Sequence, residues 1–270
     1  MTLFAPDWKL PAGVAAMGTT RHGGVSLAPW DSLNLGHLDN PSDGAGDLPQ
    51  AITANRQIVA CAMGARPVWL RQVHGVEVLR LQSTGPQDLP AADAAWTTEP
   101  GLACAVLVAD CLPVLLCSGD GRAVAAAHAG WRGLAAGVLE ATIASMQQQA
   151  GVERADMLAW LGPCIGPRQF EVGADVLQAF GVDGDTDGNS DGDTDANPAA
   201  AALFLRRTRP DGSARWLADL PAVARLRLQR AGLRHISMDG RCTVEQRSDF
   251  FSFRRDGVTG RQAAAIWRCA

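Results

Sequence analysis

Three side chains of metal-ligating type stand at the mouths of apolar runs: His74 in Arg71-Gln-Val-His-Gly75, Cys111 in Ala109-Asp-Cys-Leu-Pro113, and His128 in Ala127-His-Ala-Gly-Trp-Arg-Gly133. A hydrophobic core needs no polar group there. Residues 112–117 read as a buried strand, Ser118-Gly-Asp-Gly121 as a four-residue turn and 122–127 as the returning strand. If Cys117 pairs with Arg122, antiparallel register sets Cys111 directly opposite His128, with Cβ atoms roughly 5 Å apart. A thiolate sulfur at about 2.3 Å and an imidazole nitrogen at about 2.0 Å from one zinc ion span that separation. His74, followed by a glycine that permits a tight turn, supplies a third ligand. A Cys-His-His set leaves a tetrahedral zinc one open position, the arrangement of a catalytic rather than a closed structural site. Taken singly, each residue also fits a plainer role, a cysteine as a small core hydrophobe and a histidine as a satisfied polar group. The register and the flanking residues are what join the three.

Anion-binding candidates surround this group. His128 is followed by Ala-Gly-Trp-Arg-Gly and then by a helix, and the free N–H groups of a helix start suit phosphate. In Phe250-Phe-Ser-Phe-Arg-Arg-Asp-Gly257, Arg254 and Arg255 alternate with apolar residues, so one faces inward and the other outward. Arg254 either holds an anion or closes a salt bridge. Arg21, in Thr20-Arg-His-Gly-Gly-Val-Ser26, lies in a Gly-rich loop and is a substrate-binding candidate; Arg132 and Arg261 are weaker ones. Asp110 either orients a ligand histidine from behind or bonds backbone at a strand end. Cys164 is either core or a spectator beside the site, and the spectator role is favoured.

The elements that must position these residues follow from periodicity. An amphipathic helix is expected over 48–63, stopped by Gly64, and a long one over 134–149, stopped by Gly151, with further helices at 174–180 and 220–231. Strands are expected at 68–73, 76–81, 103–109, 157–161 and 262–267 besides the hairpin. This mixed order predicts an α/β fold of layered type in a single domain over 1–270. Residues 183–197 form a low-complexity acidic loop with six Asp that imitates the start of a calcium-binding EF-hand loop. Its twelfth position is Thr194, where a bidentate Glu is required, so a solvated acidic loop is the expectation.

Composition narrows the setting. The chain has 270 residues, 47% of them hydrophobic, which suits a well-buried core. Seven Cys without paired spacing argue against a disulfide framework, and the opening Met1-Thr-Leu-Phe-Ala-Pro-Asp-Trp8 lacks the pattern of a signal peptide, so a reducing cytoplasm is expected. The longest apolar run, 101–117, is broken by Asp110 and Pro113 and is too short for a comfortable membrane span. A net charge of −4 gives no electrostatic case for a nucleic-acid partner.

The three ligand blocks, with Leu161-Gly-Pro-Cys-Ile-Gly166 and Phe250-Phe-Ser-Phe-Arg-Arg-Asp-Gly257 followed by Thr259-Gly-Arg-Gln262, closely resemble the YfiH-like family, also labelled laccase-domain proteins, polyphenol oxidases and peptidoglycan editing factors. The matching blocks begin at Thr20 and run almost to the C-terminus. The resemblance implies a sandwich of helices around mixed β-sheets, metal ligands at His74, Cys111 and His128, and a substrate segment around Arg21. It implies a purine nucleoside phosphorylase acting on adenosine, inosine or methylthioadenosine with phosphate, carrying an adenosine deaminase side activity; a monomer or weak homo-oligomer is the expected state.

Four functions then compete. The first is this zinc-dependent nucleoside enzyme. The second, a copper phenol oxidase, fails on counting, since five His are too few for a blue-copper site and a separate copper cluster. The third is a Cys-His hydrolase, acting on a peptidoglycan precursor, with Cys111 as nucleophile and His128 as its base. The fourth, a zinc-stabilised module without activity, requires a fourth protein ligand such as Cys164. The cytidine-type deaminase signature is absent, because Pro163-Cys164 has no second Cys after it, so any adenosine deamination uses other machinery.

Overall fold

The computed structural model describes residues 3–36, 46–84, 91–182 and 198–270. The acidic loop 183–197 lies outside them. In chain order the strands are β1 (Leu3–Phe4), β2 (Val14–Thr19), β3 (Arg66–Trp69), β4 (Val78–Arg80), β5 (Ala94–Thr97), β6 (Leu102–Val108) and β7 (Leu112–Cys117). The second half adds β8 (Val124–Ala129), β9 (Leu158–Leu161), β10 (Glu171–Val172), β11 (Phe204–Thr208), β12 (Ala214–Ala218), β13 (His235–Met238) and β14 (Gln262–Arg268). The helices are α1 (Pro49–Met63), α2 (Trp131–Ala136), α3 (Val138–Ala150), α4 (Ala174–Ala179), α5 (Pro198–Ala201), α6 (Leu220–Arg230) and α7 (Phe253–Asp256).

Strand parity sorts the side chains into layers. A five-stranded sheet, β1-β2-β14-β6-β3, faces a six-stranded sheet, β13-β9-β7-β8-β5-β4, and each contributes alternate residues to the seam between them. Leu115, Cys117, Val124, Ala126 and Ala95 of the larger sheet meet Cys104, Val106, Ala264 and Ile266 of the smaller one. The other face of the larger sheet, with Val114, Leu116, Ala125, Ala127 and Trp96, packs under Leu139, Ile143 and Met146 of α3 and Val223, Ala224 and Leu228 of α6. Ala105, Leu107, Ala265 and Trp267, on the opposite side of the molecule, bury against Val59 and Met63 of α1. Covered on both faces, β6, β7 and β8 are buried along their whole length, which is why they read as continuous apolar runs rather than alternating ones. The expected layered α/β sandwich is therefore present, with a small sheet β10-β12-β11 beside it. No helix among the described residues is long and apolar enough to cross a membrane.

Two local expectations are corrected. The hairpin turn is longer than four residues: Ser118 N donates to Ala123 O (2.9 Å), and the Asp120 carboxylate accepts from Ser118 Oγ (2.6 Å) and Arg122 N (3.1 Å). Arg122 is thereby drawn into the turn and the ladder begins with Cys117 opposite Val124, so that Pro113, not Cys111, faces His128. Because the slip is by two residues, every side chain keeps its face. The expected 134–149 helix starts earlier, at Trp131, and is broken at Gly137, whose φ of 105° ends α2 and opens α3.

Candidate metal centre

The ends of the central strands gather the three ligand candidates at one end of the inter-sheet seam. His128 sits in β8 and is 3% exposed, Cys111 immediately precedes β7 and is partly buried, and His74, on the loop after β3, is exposed. Their ligand atoms lie within 4.8 Å of one another. Cys111 Sγ is 3.7 Å from His74 Nε2, and the two imidazole rings meet edge to face at 4.8 Å between centroids and 75°. Burial thus grades from His128 outward, leaving the His74 side open to solvent.

Strained or close-packed backbone sets this geometry. His74 has φ of 61° and Asp110 φ of 96°, conformations that non-glycine residues adopt at a cost. The His74 loop is tied down by Gln72, whose amide exchanges two hydrogen bonds with the Leu107 backbone (2.9 and 2.8 Å). Gly130 lies over the cluster so closely that a Cβ there would stand 2.8 Å from His74 Cδ2 and 3.0 Å from Cys111 Sγ.

Sequence reasoning missed Asp93. It is 0% exposed and directly precedes β5, where the pairing of Ala94 with Ala127 continues to place Asp93 opposite His128. Its Oδ1 accepts from His128 Nδ1 (2.8 Å) and His74 N (2.9 Å), while Oδ2 accepts from Val73 N (3.1 Å) and Gly75 N (2.7 Å). The available signal was one charge inside the apolar run Ala91-Ala-Asp-Ala-Ala-Trp96.

The histidine-orienting place considered for Asp110 is held by Asp93. The Asp110 carboxylate instead accepts from Thr243 Oγ1 (2.6 Å), Ser252 Oγ (3.1 Å) and Arg254 N (2.6 Å), fixing α7 beside Cys111. Arg254 and Arg255 lie on that helical turn, capped by Ser252, rather than on a strand. Arg255 turns inward and donates to the carbonyls of Thr243, Val244 and Phe250. Arg254 is outward, over Phe170, with Nη1 on the carbonyl oxygens of Glu171 (3.0 Å) and Gln169 (3.4 Å). It borders a slot of about 130 Å³ that Asp110, Cys111, Trp131, Phe170 and Phe253 also line. Arg21 is engaged elsewhere, with the Asp31 carbonyl (2.9 Å) and carboxylate (3.3 Å), and lies over the Phe251 ring. Arg132 stacks on Trp131, and Arg261 donates to the Thr259 and Gly260 carbonyls. Cys164 is buried with its Sγ on Ile165 O and is not among the clustered ligand atoms. A larger cavity of about 930 Å³ opens at the hairpin turn, lined by Trp8, Asp120, Arg122 and His235; roughly 20 Å of strand separates it from the cluster, and it holds no clustered ligand.

Electrostatics favour the ligating state. Burial opposes charge on both partners, yet the imidazoles of His128 and His74 pull the Cys111 thiol down to about 6, and the Cys111 thiolate with the Asp93 carboxylate lifts His128 to about 9. Asp93 itself is held below the usual carboxylate range: burial raises it, but the bonds from His128 and the Gly75 and Val73 amides outweigh that. A thiolate and two imidazoles, one with its far nitrogen on a carboxylate, are a donor set that fits a divalent metal ion.

Known proteins resemble this chain over nearly its whole length. A purine nucleoside phosphorylase of Pseudomonas aeruginosa is 45% identical over 265 residues, 98% of this chain and 97% of its own length. The Escherichia coli purine nucleoside phosphorylase YfiH is 45% identical over 267 residues, 98% of each chain. The crystal structure of a Neisseria meningitidis protein matches with a TM-score of 0.86 at 43% identity over 100% of both chains, and that of Bacillus licheniformis YfiH with 0.80 at 29% identity over 94% of this chain and 92% of its own. The family described as multi-copper polyphenol oxidoreductase laccase matches residues 15–269, and this chain belongs to that family.

Proposed function

We propose that the chain is a zinc-dependent purine nucleoside phosphorylase, with adenosine and inosine as substrates and adenosine deamination as a side activity. The observation that carries the reading is the slot at Cys111, which joins the cluster to aromatic faces and to an arginine. The activity named for relatives 45% identical over 98% of the chain supports it. When bound at His74, Cys111 and His128, zinc supplies Lewis-acid chemistry; it is preferred to copper because the thiolate and two imidazoles suit a redox-inert ion and five His cannot also build a multinuclear copper centre. The chain's own residues supply the rest. Trp131, Phe170 and Phe253 offer flat apolar surface for a purine. Arg254, whose Nε and Nη2 have no partner among the described residues, offers charge-assisted bonds to phosphate. An oxygen of that phosphate attacks the anomeric carbon, the C–N glycosidic bond breaks with its electron pair leaving on the purine, and the proton that the hydrogen phosphate gives up ends on the base. The reading includes a monomeric or weakly associating protein of the cytoplasm.

A second reading has its own observation: Cys111 pulled down to about 6 beside a raised His128, with Asp93 behind it, is also the composition of a Cys-His-Asp hydrolase. The deciding experiment is metal analysis of the purified protein with adenosine and inosine turnover measured with and without phosphate. One zinc per chain and phosphate-dependent release of base are expected, both lost in Cys111→Ala, His74→Ala and His128→Ala. Full activity of a rigorously metal-free preparation would remove the metal from the mechanism altogether, and a Cys111→Ala protein that keeps stoichiometric zinc and loses only turnover would favour the hydrolase.

A further inference from the structure

We infer that Asp93 is the positioning residue of the metal centre: one buried carboxylate sets both imidazoles, and the ligand geometry depends on its charge. The inference rests on reading the cluster as a metal site. Its observation is separate, namely the number and origin of the donors that converge on this side chain.

Three successive amides, those of Val73, His74 and Gly75, wrap the carboxylate at 3.1, 2.9 and 2.7 Å. This is the loop in which His74 is held at φ of 61°, so the carboxylate is what the strained backbone closes on. The same Oδ1 that takes the His74 amide takes His128 Nδ1 at 2.8 Å, and the Asp93 carbonyl takes the His128 amide at 2.7 Å. A proton is thereby assigned to Nδ1 of His128, and Nε2 is left to ligate. His74 receives its orientation through its backbone, His128 through its ring. Cys111 is fixed independently, beside Asp110 and its bonds to Thr243, Ser252 and Arg254. The two halves of the ligand set are therefore held by different carboxylates, and Asp93 controls the histidine half. Four donors converge on two oxygens, so an amide in its place, with one acceptor oxygen and an NH2 group, must turn donors against donors.

The test uses the full chain. Zinc affinity of wild type, Asp93→Asn and Asp93→Glu is measured by competition with a chromophoric chelator, and turnover is followed as zinc is added back. Histidine ring signals are recorded by long-range 1H–15N NMR. Asp93→Asn should bind zinc about 10- to 100-fold more weakly, and its kcat should return toward wild type at saturating zinc, a rescue that a merely structural lesion does not show. The wild-type spectrum should show His128 protonated at Nδ1 in the zinc-loaded protein, and this signal decides if Asp93→Asn fails to fold. Wild-type affinity in a folded Asp93→Asn, or ligation of wild-type His128 through Nδ1, overturns the proposal. Absence of zinc from wild type would defeat the metal reading instead; a His128 Nδ1–H signal unchanged between wild type and Asp93→Asn would then overturn the Asp93 role by itself, and its loss in Asp93→Asn would support it.

Discussion

Gly130 shows how tightly single residues are constrained at this site. Its backbone, at φ of −60° and ψ of 155°, is open to any residue, so alanine brings no conformational penalty; the obstacle is the space occupied by His74 Cδ2 at 2.8 Å and Cys111 Sγ at 3.0 Å. We expect Gly130→Ala to melt within a few degrees of wild type and to lose turnover on the order of 100-fold, since displacements of about 1 Å at a reacting centre cost that much. Thermal melts and kcat/KM on inosine check this, and near-normal turnover would mean the cluster is not where chemistry occurs. Among residues, the three candidate ligands were legible because Cys and His interrupt apolar runs. Asp93 was not, because its meaning depends on a residue 35 positions away.

At the scale of elements, the hairpin and α7 carry the argument. The slip of two residues between the expected and observed ladders leaves Cys111 diagonal to His128 instead of opposite it, yet on the same face, and the site survives because the side-chain period of a strand is two. The turn, by contrast, was decided by Asp120 collecting Ser118 and Arg122, a side-chain network that spacing alone does not reveal. In α7 the two arginines separate by role. Arg254→Ala should raise the phosphate KM roughly tenfold or more while leaving stability within about 0.5 kcal/mol, because an exposed guanidinium contributes little to folding and much to anion binding. Arg255→Ala should do the reverse, costing about 1–3 kcal/mol as three carbonyls lose their donor from a side chain only 13% exposed, with a smaller effect on KM. Steady-state kinetics in varied phosphate together with urea unfolding separate the two, and equal mild effects would remove Arg254 from the phosphate site.

Across the whole molecule, the candidate metal centre lies at the end of a seam between two sheets that are each also covered by helices, so the fold has a core of its own apart from any bound ion. Chelation should accordingly abolish turnover while lowering the melting temperature by only a few degrees, unlike a zinc finger, which unfolds without its ion. Calorimetry of metal-loaded and metal-free protein measures this, and unfolding on chelation would assign the ion a structural role. The sequence by itself determined what is local. The apolar run read as a strand over 103–109 is one, at 102–108, Gly64 and Gly151 stop helices as read, and His74, Cys111 and His128 stand out as residues able to ligate. Only the tertiary structure decided which strands neighbour one another. Ala94–Thr97 is too short and alanine-rich to announce itself, yet its pairing with β8 brings Asp93 to His128, and the course of the chain brings Thr243 and Ser252 to Asp110. Periodicity is written by nearest neighbours along the chain, whereas such pairings follow from how large apolar surfaces stack, a choice made by the whole core at once.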